Sequence, residues 1–197
     1  MNETTMFGKI LAQVEKHIRL SEEEKQCFTS LLKPRKLLRR QFLLQAGDVC
    51  RYETFIVSGC LRSYLTDNNG QEHVLHFAIE NWWISDLGSF LHHTPSLINI
   101  EALEPVEALQ IDLPSLERLY REVPAFERFF RILHQNAYLA QNERILQGIS
   151  QTAMERYEAF LAKYPAIAAR VPQKHLASYL GITPVFISQL RKKRMEN

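Results

Sequence analysis

The sequence predicts an α+β fold, with an antiparallel β-roll and flanking helices, then a long helix, then a pair of short helices. Three observations lead to this prediction. Apolar residues follow a period of two in short runs between residues 37 and 111. A helical apolar period then runs unbroken over residues 124–150. From Val171 onward the chain reads as two short helices that meet at Gly181.

The first segment is predicted to be helical. Residues 7–32 carry apolar side chains at helical spacing. Ser21 has Glu24 three residues later, which predicts a capping box at the start of a second helix.

The β-roll is predicted from six short runs with turn residues between them. Asn69-Gly70, between two alternating runs, is a strong hairpin marker. Short strands at this spacing indicate an antiparallel barrel or roll. The predicted strands are residues 42–44, 54–57, 61–65, 73–79, 98–103 and 106–111.

Pro114 and Pro124 flank a predicted short helix, and the long helix follows. One set of its apolar side chains steps by four, three, four and three residues, which is the spacing of a seam between paired helices. We expect this seam to pack on a partner subunit and a second face, with Phe129, Ile132 and Leu139, to pack on the roll. The predicted dimer seam is Phe126, Phe130, Leu133, Ala137 and Ala140. Thr152 is predicted to cap a further helix, which ends before Pro165.

The last two helices have the spacing of a helix-turn-helix. Ala177 supplies the small residue where the helices touch, and Gly181 can take the positive φ that the turn requires. Thr183 is a suitable N-cap, and Pro184 occupies the first helical position. The predicted shared core is Leu176, Leu180, Ile182, Ile187 and Leu190.

In such a motif the second helix enters the major groove of DNA. The residues expected to face base edges are Pro184, Val185, Ser188, Gln189 and Lys192. Those expected to contact the DNA backbone are Thr183, Lys174, Arg191, Lys193 and Arg194. Gln189 is the best candidate for reading adenine. A helical hairpin with a solvated basic tail is the plainer alternative.

The distribution of charge favours DNA contact over that alternative. The chain has 24 Lys and Arg against 22 Asp and Glu, for a net charge of +2. Residues 170–194 contain six of the cations and no acid. A basic end on a slightly acidic body is the charge pattern of a phosphate-binding segment.

Composition excludes several classes. No apolar run is long enough for a membrane span, and the start lacks the character of a signal peptide, so we expect a cytoplasmic protein. The cysteines are Cys27, Cys50 and Cys60, with no Cys-x-x-Cys, which argues for free thiols. We found no catalytic constellation and expect neither an enzyme nor a bound cofactor.

A metal site on the histidines is also disfavoured. His73 and His76 stand three apart on a strand and point to opposite faces, and the adjacent His92 and His93 face the same objection. We therefore predict no metal site, although a cupin-like metalloenzyme remains a rival interpretation.

The order of elements resembles the cyclic-AMP receptor protein and fumarate-nitrate regulator (Crp/Fnr) family over nearly the whole chain. The resemblance is carried by Leu43-Leu-Gln-Ala-Gly-Asp-Val, Thr54-Phe-Ile-Val-Ser-Gly-Cys-Leu-Arg62, Asp86-Leu-Gly-Ser-Phe90 and the C-terminal motif. It implies a homodimeric transcription regulator whose β-roll is a double-stranded β-helix similar to cyclic-nucleotide-binding domains. The implied domains are residues 1–123 (sensor), 124–150 (dimerisation helix) and 151–197 (helix-turn-helix, with the wing absent or truncated).

The chain departs from the family members that bind cyclic nucleotide. Those carry a Gly-Glu-Leu element and a later Arg-Ser or Arg-Thr, where this chain has Ser85-Asp86-Leu87 and then Ser96-Leu97. No Lys or Arg lies between Arg62 and Arg118, while nine acids do. A buried phosphate needs such donors. We therefore expect an effector other than cyclic AMP, or none. The residues considered for an effector pocket are Arg62, Trp82, Trp83, Ser85, Asp86 and Ser96.

The expected partners are double-stranded DNA, a second copy of the chain, RNA polymerase and a small-molecule effector, without membrane association. Two alternatives stay open: a ligand-sensing module whose C-terminal helices bind a protein, and a cyclic-nucleotide-responsive regulator with an atypical pocket.

Overall fold

The computed structural model describes residues 3–189, which include the eight helices α1–α8 and the eight strands β1–β8. The helices are α1 (Glu3–Val14), α2 (Glu22–Ser30), α3 (Leu87–His92), α4 (Leu113–Glu122), α5 (Ala125–Ser150), α6 (Ala153–Lys163), α7 (Pro165–Arg170) and α8 (Gln173–Leu180). The strands are β1 (Lys33–Leu37), β2 (Phe42–Leu44), β3 (Tyr52–Ser58), β4 (Leu61–Thr66), β5 (Glu72–Ala78), β6 (Trp83–Ile84), β7 (Asn99–Ala102) and β8 (Val106–Asp112). Residues 184–189 are also helical.

The strands form two four-stranded sheets, in the orders β1-β8-β3-β6 and β2-β7-β4-β5. Strand β8 lies between β1 and β3 and pairs with both in antiparallel orientation, with Tyr52 opposite Asp112. This arrangement, followed by the long helix and the C-terminal helices, confirms the predicted fold class.

Two turns explain how the strands connect. Gly70 has a φ of 79°, and its N–H donates to the Asp67 carbonyl oxygen at 3.0 Å, as expected for the Asn69-Gly70 hairpin. Gly59 links β3 to β4 with a φ of 105°. A Cβ there would lie 2.5 Å from the Pro105 carbonyl oxygen, so the close approach of the two backbones requires glycine.

The predicted helix starts are present. The Ser21 and Glu24 side chains form a reciprocal capping box at α2, and Thr152 with Glu155 does the same at α6. Pro165 was expected only to end a helix, but it also begins α7, where its missing N–H is tolerated.

The first part of α5 lies in the protein's own core. Phe126 and Phe130 are 0% and 2% exposed. Phe126 packs on Phe28 with ring centroids 4.4 Å apart, and Phe130 on Trp83 at 5.2 Å. These two residues therefore cannot form a dimer seam, and that part of the prediction is wrong. Leu133 is half-buried against the same core, whereas Ala137 and Ala140 are exposed.

Large apolar side chains are exposed further along α5. Tyr138, Leu139, Ile145, Leu146 and Ile149 are 59–79% exposed in the single chain. Leu139 and Leu146 are seven residues apart, and Ile149 follows three residues later. This face is displaced from the predicted seam, which ends at Ala140.

The chain divides into two compact units. One comprises residues 1–63 and 78–135, and the other comprises residues 64–77 and 136–197. The second unit thus combines the β4–β5 hairpin with the later part of α5 and the C-terminal helices. The predicted domain boundaries at residues 123 and 150 stay a prediction. Within residues 3–189, no helix has the length and apolar character needed to cross a membrane.

Candidate nucleic-acid interface and effector segment

The predicted helix pair is formed by α8 and the helical residues 184–189. Ala177 and Ile187 are both fully buried, and Leu176 and Leu180 are 5% and 8% exposed. Small and aliphatic side chains on the inner faces let two short helices approach closely, which is why this sequence can form the motif.

The turn between the helices has the predicted geometry. Gly181 is left-handed, with a φ of 68°. Its N–H donates to the Ser178 carbonyl oxygen at 3.2 Å, and the Ile182 N–H donates to that of Ala177 at 3.0 Å. The Thr183 hydroxyl accepts the Phe186 N–H at 3.2 Å, so Thr183 is the N-cap of the next helix.

The outer face of the second helix is open to solvent. Pro184, Val185, Ser188 and Gln189 are exposed, and Val185 is 69% exposed. The Ser188 hydroxyl also donates to the Pro184 carbonyl oxygen at 3.1 Å. Phe186 was not predicted to be exposed, yet it is 37% exposed next to this face.

Of the cations predicted to contact DNA, only Lys174 falls within the described residues, and it is exposed. Leu190, Arg191, Lys192, Lys193 and Arg194 lie outside the described residues, as do the three residues that follow. Their roles stay predictions.

Two further residues of this unit connect the helix pair to the β4–β5 hairpin, and sequence reasoning missed both. The Ser178 hydroxyl donates to the Glu72 carbonyl oxygen at 2.8 Å and accepts the Val74 N–H at 2.9 Å. The Arg144 guanidinium donates to the carbonyl oxygens of Val74, Leu75 and Tyr179. Because these contacts join segments far apart in the chain, no local pattern indicates them.

In the other unit, the side chains of Asp86 and Ser96, which lie in the segment considered for phosphate binding, make their hydrogen bonds within that segment. The Asp86 carboxylate accepts the Ser89 N–H at 3.2 Å and the Ser96 hydroxyl at 2.7 Å. The Ser96 hydroxyl in turn accepts the Ile98 N–H at 3.1 Å. An anionic carboxylate therefore stands beside Ser96, where an anionic ligand would be repelled.

The other residues considered for a pocket have different surroundings. Arg62 is 4% exposed, and its guanidinium donates to Glu101 Oε2 from Nε at 2.9 Å. Trp83 packs its ring on Phe55 at 5.6 Å, in the core. Trp82 is 37% exposed. A hydrogen bond joins two of the six residues, Asp86 and Ser96, and a pocket formed by the six stays a prediction.

A cavity of about 330 Å³ lies nearby in the same unit, and Ser85 is the only one of the six that lines it. The side chains of Thr54 and Gln110 are hydrogen-bonded to each other at 3.2 Å in its wall. Its charged lining residues are one acid and one cation, Asp48 and Arg51, and Arg51 was not predicted.

The histidines do not gather into a metal site. His73 Nε2 lies 2.9 Å from Asp67 Oδ2, and His76 Nε2 lies 3.4 Å from Gln141 Nε2. Within the part of the chain that the structure describes, no three His, Cys, Asp or Glu side chains are grouped as metal ligands.

Comparison with known proteins agrees with this architecture. Residues 34–123 match the family described as cyclic nucleotide-binding domain. Regulatory protein HlyX of Actinobacillus pleuropneumoniae is 26% identical over 189 residues, which are 87% of this chain and 75% of HlyX. FixK2 of Bradyrhizobium japonicum has a similar fold, with a TM-score of 0.73 at 16% identity, covering 82% of this chain and 83% of FixK2.

A solved transcriptional regulator of the Crp/Fnr family from Eubacterium rectale gives a TM-score of 0.66 at 17% identity, over 90% of this chain and 85% of that protein. At these identities the two solved structures show that the chain shares their fold.

The chain has the predicted β-roll, long helix and C-terminal helix pair. It differs from the cyclic-nucleotide-binding pattern at Ser85-Asp86-Leu87 and Ser96. In the structure, the residues at two of these positions, Asp86 and Ser96, are hydrogen-bonded to each other.

Proposed function

We propose that the protein is a homodimeric, sequence-specific DNA-binding transcription regulator. The observation that carries the proposal is the helix at residues 184–189, which is capped by Thr183 and exposes Val185, Ser188 and Gln189 together. A recognition helix needs such an outer face to enter a major groove. The regulatory names of the relatives support this role, and support regulation rather than catalysis.

Within this proposal the residues divide into two groups. Pro184, Val185, Ser188, Gln189 and Lys192 face base edges, while Thr183, Lys174, Arg191, Lys193 and Arg194 contact phosphates. The base contacts specify the sequence, and the phosphate contacts supply salt-dependent affinity.

The proposed dimer uses the exposed apolar face of α5. Tyr138, Leu139, Ile145, Leu146 and Ile149 supply it, in place of Phe126 and Phe130. An exposed apolar stripe on a long helix is stabilised when a second helix covers it. Two copies would present two recognition helices to a site with two-fold symmetry.

We further propose that the β-roll does not respond to cyclic AMP. The Asp86 carboxylate beside Ser96 supports this, as does the balance of Asp48 and Arg51 in the cavity wall. The cavity is the candidate site for another small-molecule effector. RNA polymerase is the proposed protein partner of the DNA-bound regulator.

Selection of binding sites from genomic DNA at two salt concentrations tests the central proposal. We expect a motif with two-fold symmetry and affinity that falls steeply with salt. If the C-terminal helices instead bound a protein, association would be insensitive to salt and no motif would be recovered.

The Gln189→Ala variant tests base reading. We expect a relaxed preference at one position of each half-site, with non-specific binding largely preserved, because a side chain that reads a base contributes little elsewhere. Equal loss on all sequences would contradict that role.

The Lys174→Ala variant tests backbone contact. We expect weaker binding to all sequences and a salt slope reduced by about one, as for the loss of one phosphate contact. An unchanged slope would remove Lys174 from the phosphate contacts.

A further inference from the structure

The inference concerns Arg144 and Ser178, which contact the same strand edge from two different helices. We call these two residues and their main-chain partners the hairpin clasp. The Arg144 guanidinium donates from Nη1 to the Leu75 carbonyl oxygen at 2.5 Å. From Nη2 it donates to the carbonyl oxygens of Val74 at 3.1 Å and Tyr179 at 2.8 Å. One side chain thus joins α5, β5 and the end of α8.

The clasp is supported by ring contacts. The Arg144 guanidinium carbon lies 4.0 Å from the centroid of the Tyr179 ring. Tyr179 in turn packs on Phe77 of β5 at 5.4 Å and on Phe160 of α6 at 5.3 Å. The guanidinium stacks on an aromatic ring, and its N–H groups donate to carbonyl oxygens. Its orientation is therefore fixed by its planar shape as well as by its charge.

The chemistry of Arg144 is that of a structural donor. Burial lowers the pKa of its guanidinium, which nevertheless stays charged because arginine titrates so high. Its three hydrogen bonds to Val74, Leu75 and Tyr179 all go to main-chain carbonyl oxygens. The Tyr179 carbonyl is in the last turn of α8, where carbonyl groups lack helical partners. Arg156 Nε donates to the neighbouring Leu180 carbonyl oxygen at 3.3 Å.

Ser178 supplies the second half of the clasp from α8 itself. Its hydroxyl both donates to Glu72 and accepts from Val74, so it satisfies two main-chain groups of β5. Because Ser178 is three residues before Gly181, any fixation of α8 is transmitted through a two-residue turn to Thr183, the cap of the next helix.

We propose that Arg144 and Ser178 are positioning residues, which hold α8 on the β4–β5 hairpin and so orient the recognition helix before it meets DNA. The inference rests on the proposed function. Val185, Ser188 and Gln189 are exposed on the outer face of the recognition helix while Arg144 and Ser178 make these contacts. The clasp therefore does not use the outer face. The closed clasp is therefore compatible with DNA entry, and it removes part of the ordering cost of binding.

The test uses the full chain in five forms: wild type, Arg144→Met, Arg144→Lys, Ser178→Ala and the double variant Arg144→Met with Ser178→Ala. Arg131→Met and Ser150→Ala are matched controls, since both residues are exposed on α5 and bond only within that helix. Affinity for the selected DNA site, its salt slope and base preference are measured. Hydrogen exchange at the Val74 amide is followed in the free protein.

We expect both Arg144 variants to bind DNA about tenfold more weakly, as for a lost hydrogen-bonding charge, and Ser178→Ala to be weakened less. The salt slope and the base preference stay unchanged, because no DNA contact is removed. Lysine does not restore binding, since it lacks the planar fork. The Val74 amide exchanges faster in all three single variants. The double variant Arg144→Met with Ser178→Ala loses less DNA-binding free energy than the sum of the losses in the two single variants.

Other results would overturn the proposal. A salt slope reduced by one, or rescue by lysine, would make Arg144 a phosphate contact. Unchanged DNA affinity despite faster Val74 exchange would show that the clasp does not orient the recognition helix. Tighter DNA binding by the variants would show that the clasp opposes DNA binding. If the wild type selected no DNA site, the proposed function would be wrong. The clasp itself would still be established if the Val74 amide exchanged slowly in the wild type and faster in the variants.

Discussion

The two halves of helix α5 carry similar numbers of large apolar side chains but have opposite surroundings. In residues 125–135, Phe126, Phe129 and Phe130 are at most 2% exposed. In residues 136–150, Tyr138, Leu139, Ile145, Leu146 and Ile149 are at least 59% exposed. The apolar side chains of one half stabilise the chain that contains them, whereas those of the other half are left uncovered by residues 3–189. Apolar content alone therefore does not reveal what a helix packs against.

The largest effect is expected in the buried half. Phe130→Ala removes a ring that packs on Trp83, Tyr120 and Phe129. We expect the free energy of unfolding to fall by about 3–5 kcal/mol, because a cavity replaces the ring. Urea unfolding measures it. Tyr138→Ala, an aromatic truncation in the exposed half, serves as the comparison and should cost less than about 0.5 kcal/mol in dilute monomer. Equal losses would erase the difference between the halves.

Next in size is the loss of association from the exposed half. The double variant Leu146→Asp with Ile149→Asp places two carboxylates on the apolar face, where a partner helix would have to bury them. Sedimentation equilibrium should show the mass of one chain instead of two. Asn136→Asp, a charge added at an exposed polar position of the same helix, should leave the mass unchanged. A dimer that survives the double variant would move the interface elsewhere.

The smallest effect is expected at Gly148. A Cβ added there meets no atom within 4 Å. Alanine should therefore stabilise the single chain by about 0.5–1 kcal/mol, through its better helix propensity. Thermal unfolding at low concentration measures this gain. Should the gain turn into a loss as concentration rises, a partner helix would be packing against Gly148, which would extend the interface to that side of α5.

Features set by neighbouring residues were predictable from sequence. The capping boxes at Ser21 and Thr152, the turn at Gly70 and the cap at Thr183 each depend on side chains within about four positions. The alternating runs located six of the strands for the same reason. β1 was missed because four of its five residues are exposed, which leaves no alternation to detect. β6 has only two residues.

Features set by distant residues were not predictable. The seam was inferred from spacing alone, and spacing defines a face without identifying what covers it. Phe130 belongs to the core because Trp83 and Tyr120 are brought to it by other elements. Ser178 meets Val74 across 104 positions of sequence, which no local pattern reports. The polar character of Ser85, Asp86 and Ser96 was visible, but not that Asp86 and Ser96 bond to each other.

The position of β5 gives the hairpin clasp a second consequence. β5 is the outermost strand of its sheet, and an outermost strand with free main-chain groups is a template for another chain, the first step towards insoluble aggregates. Ser178 and Arg144 occupy main-chain groups of Glu72, Val74 and Leu75 along this strand. They thereby shield it from strand addition by a neighbouring molecule, and this protection should matter most when the protein is concentrated.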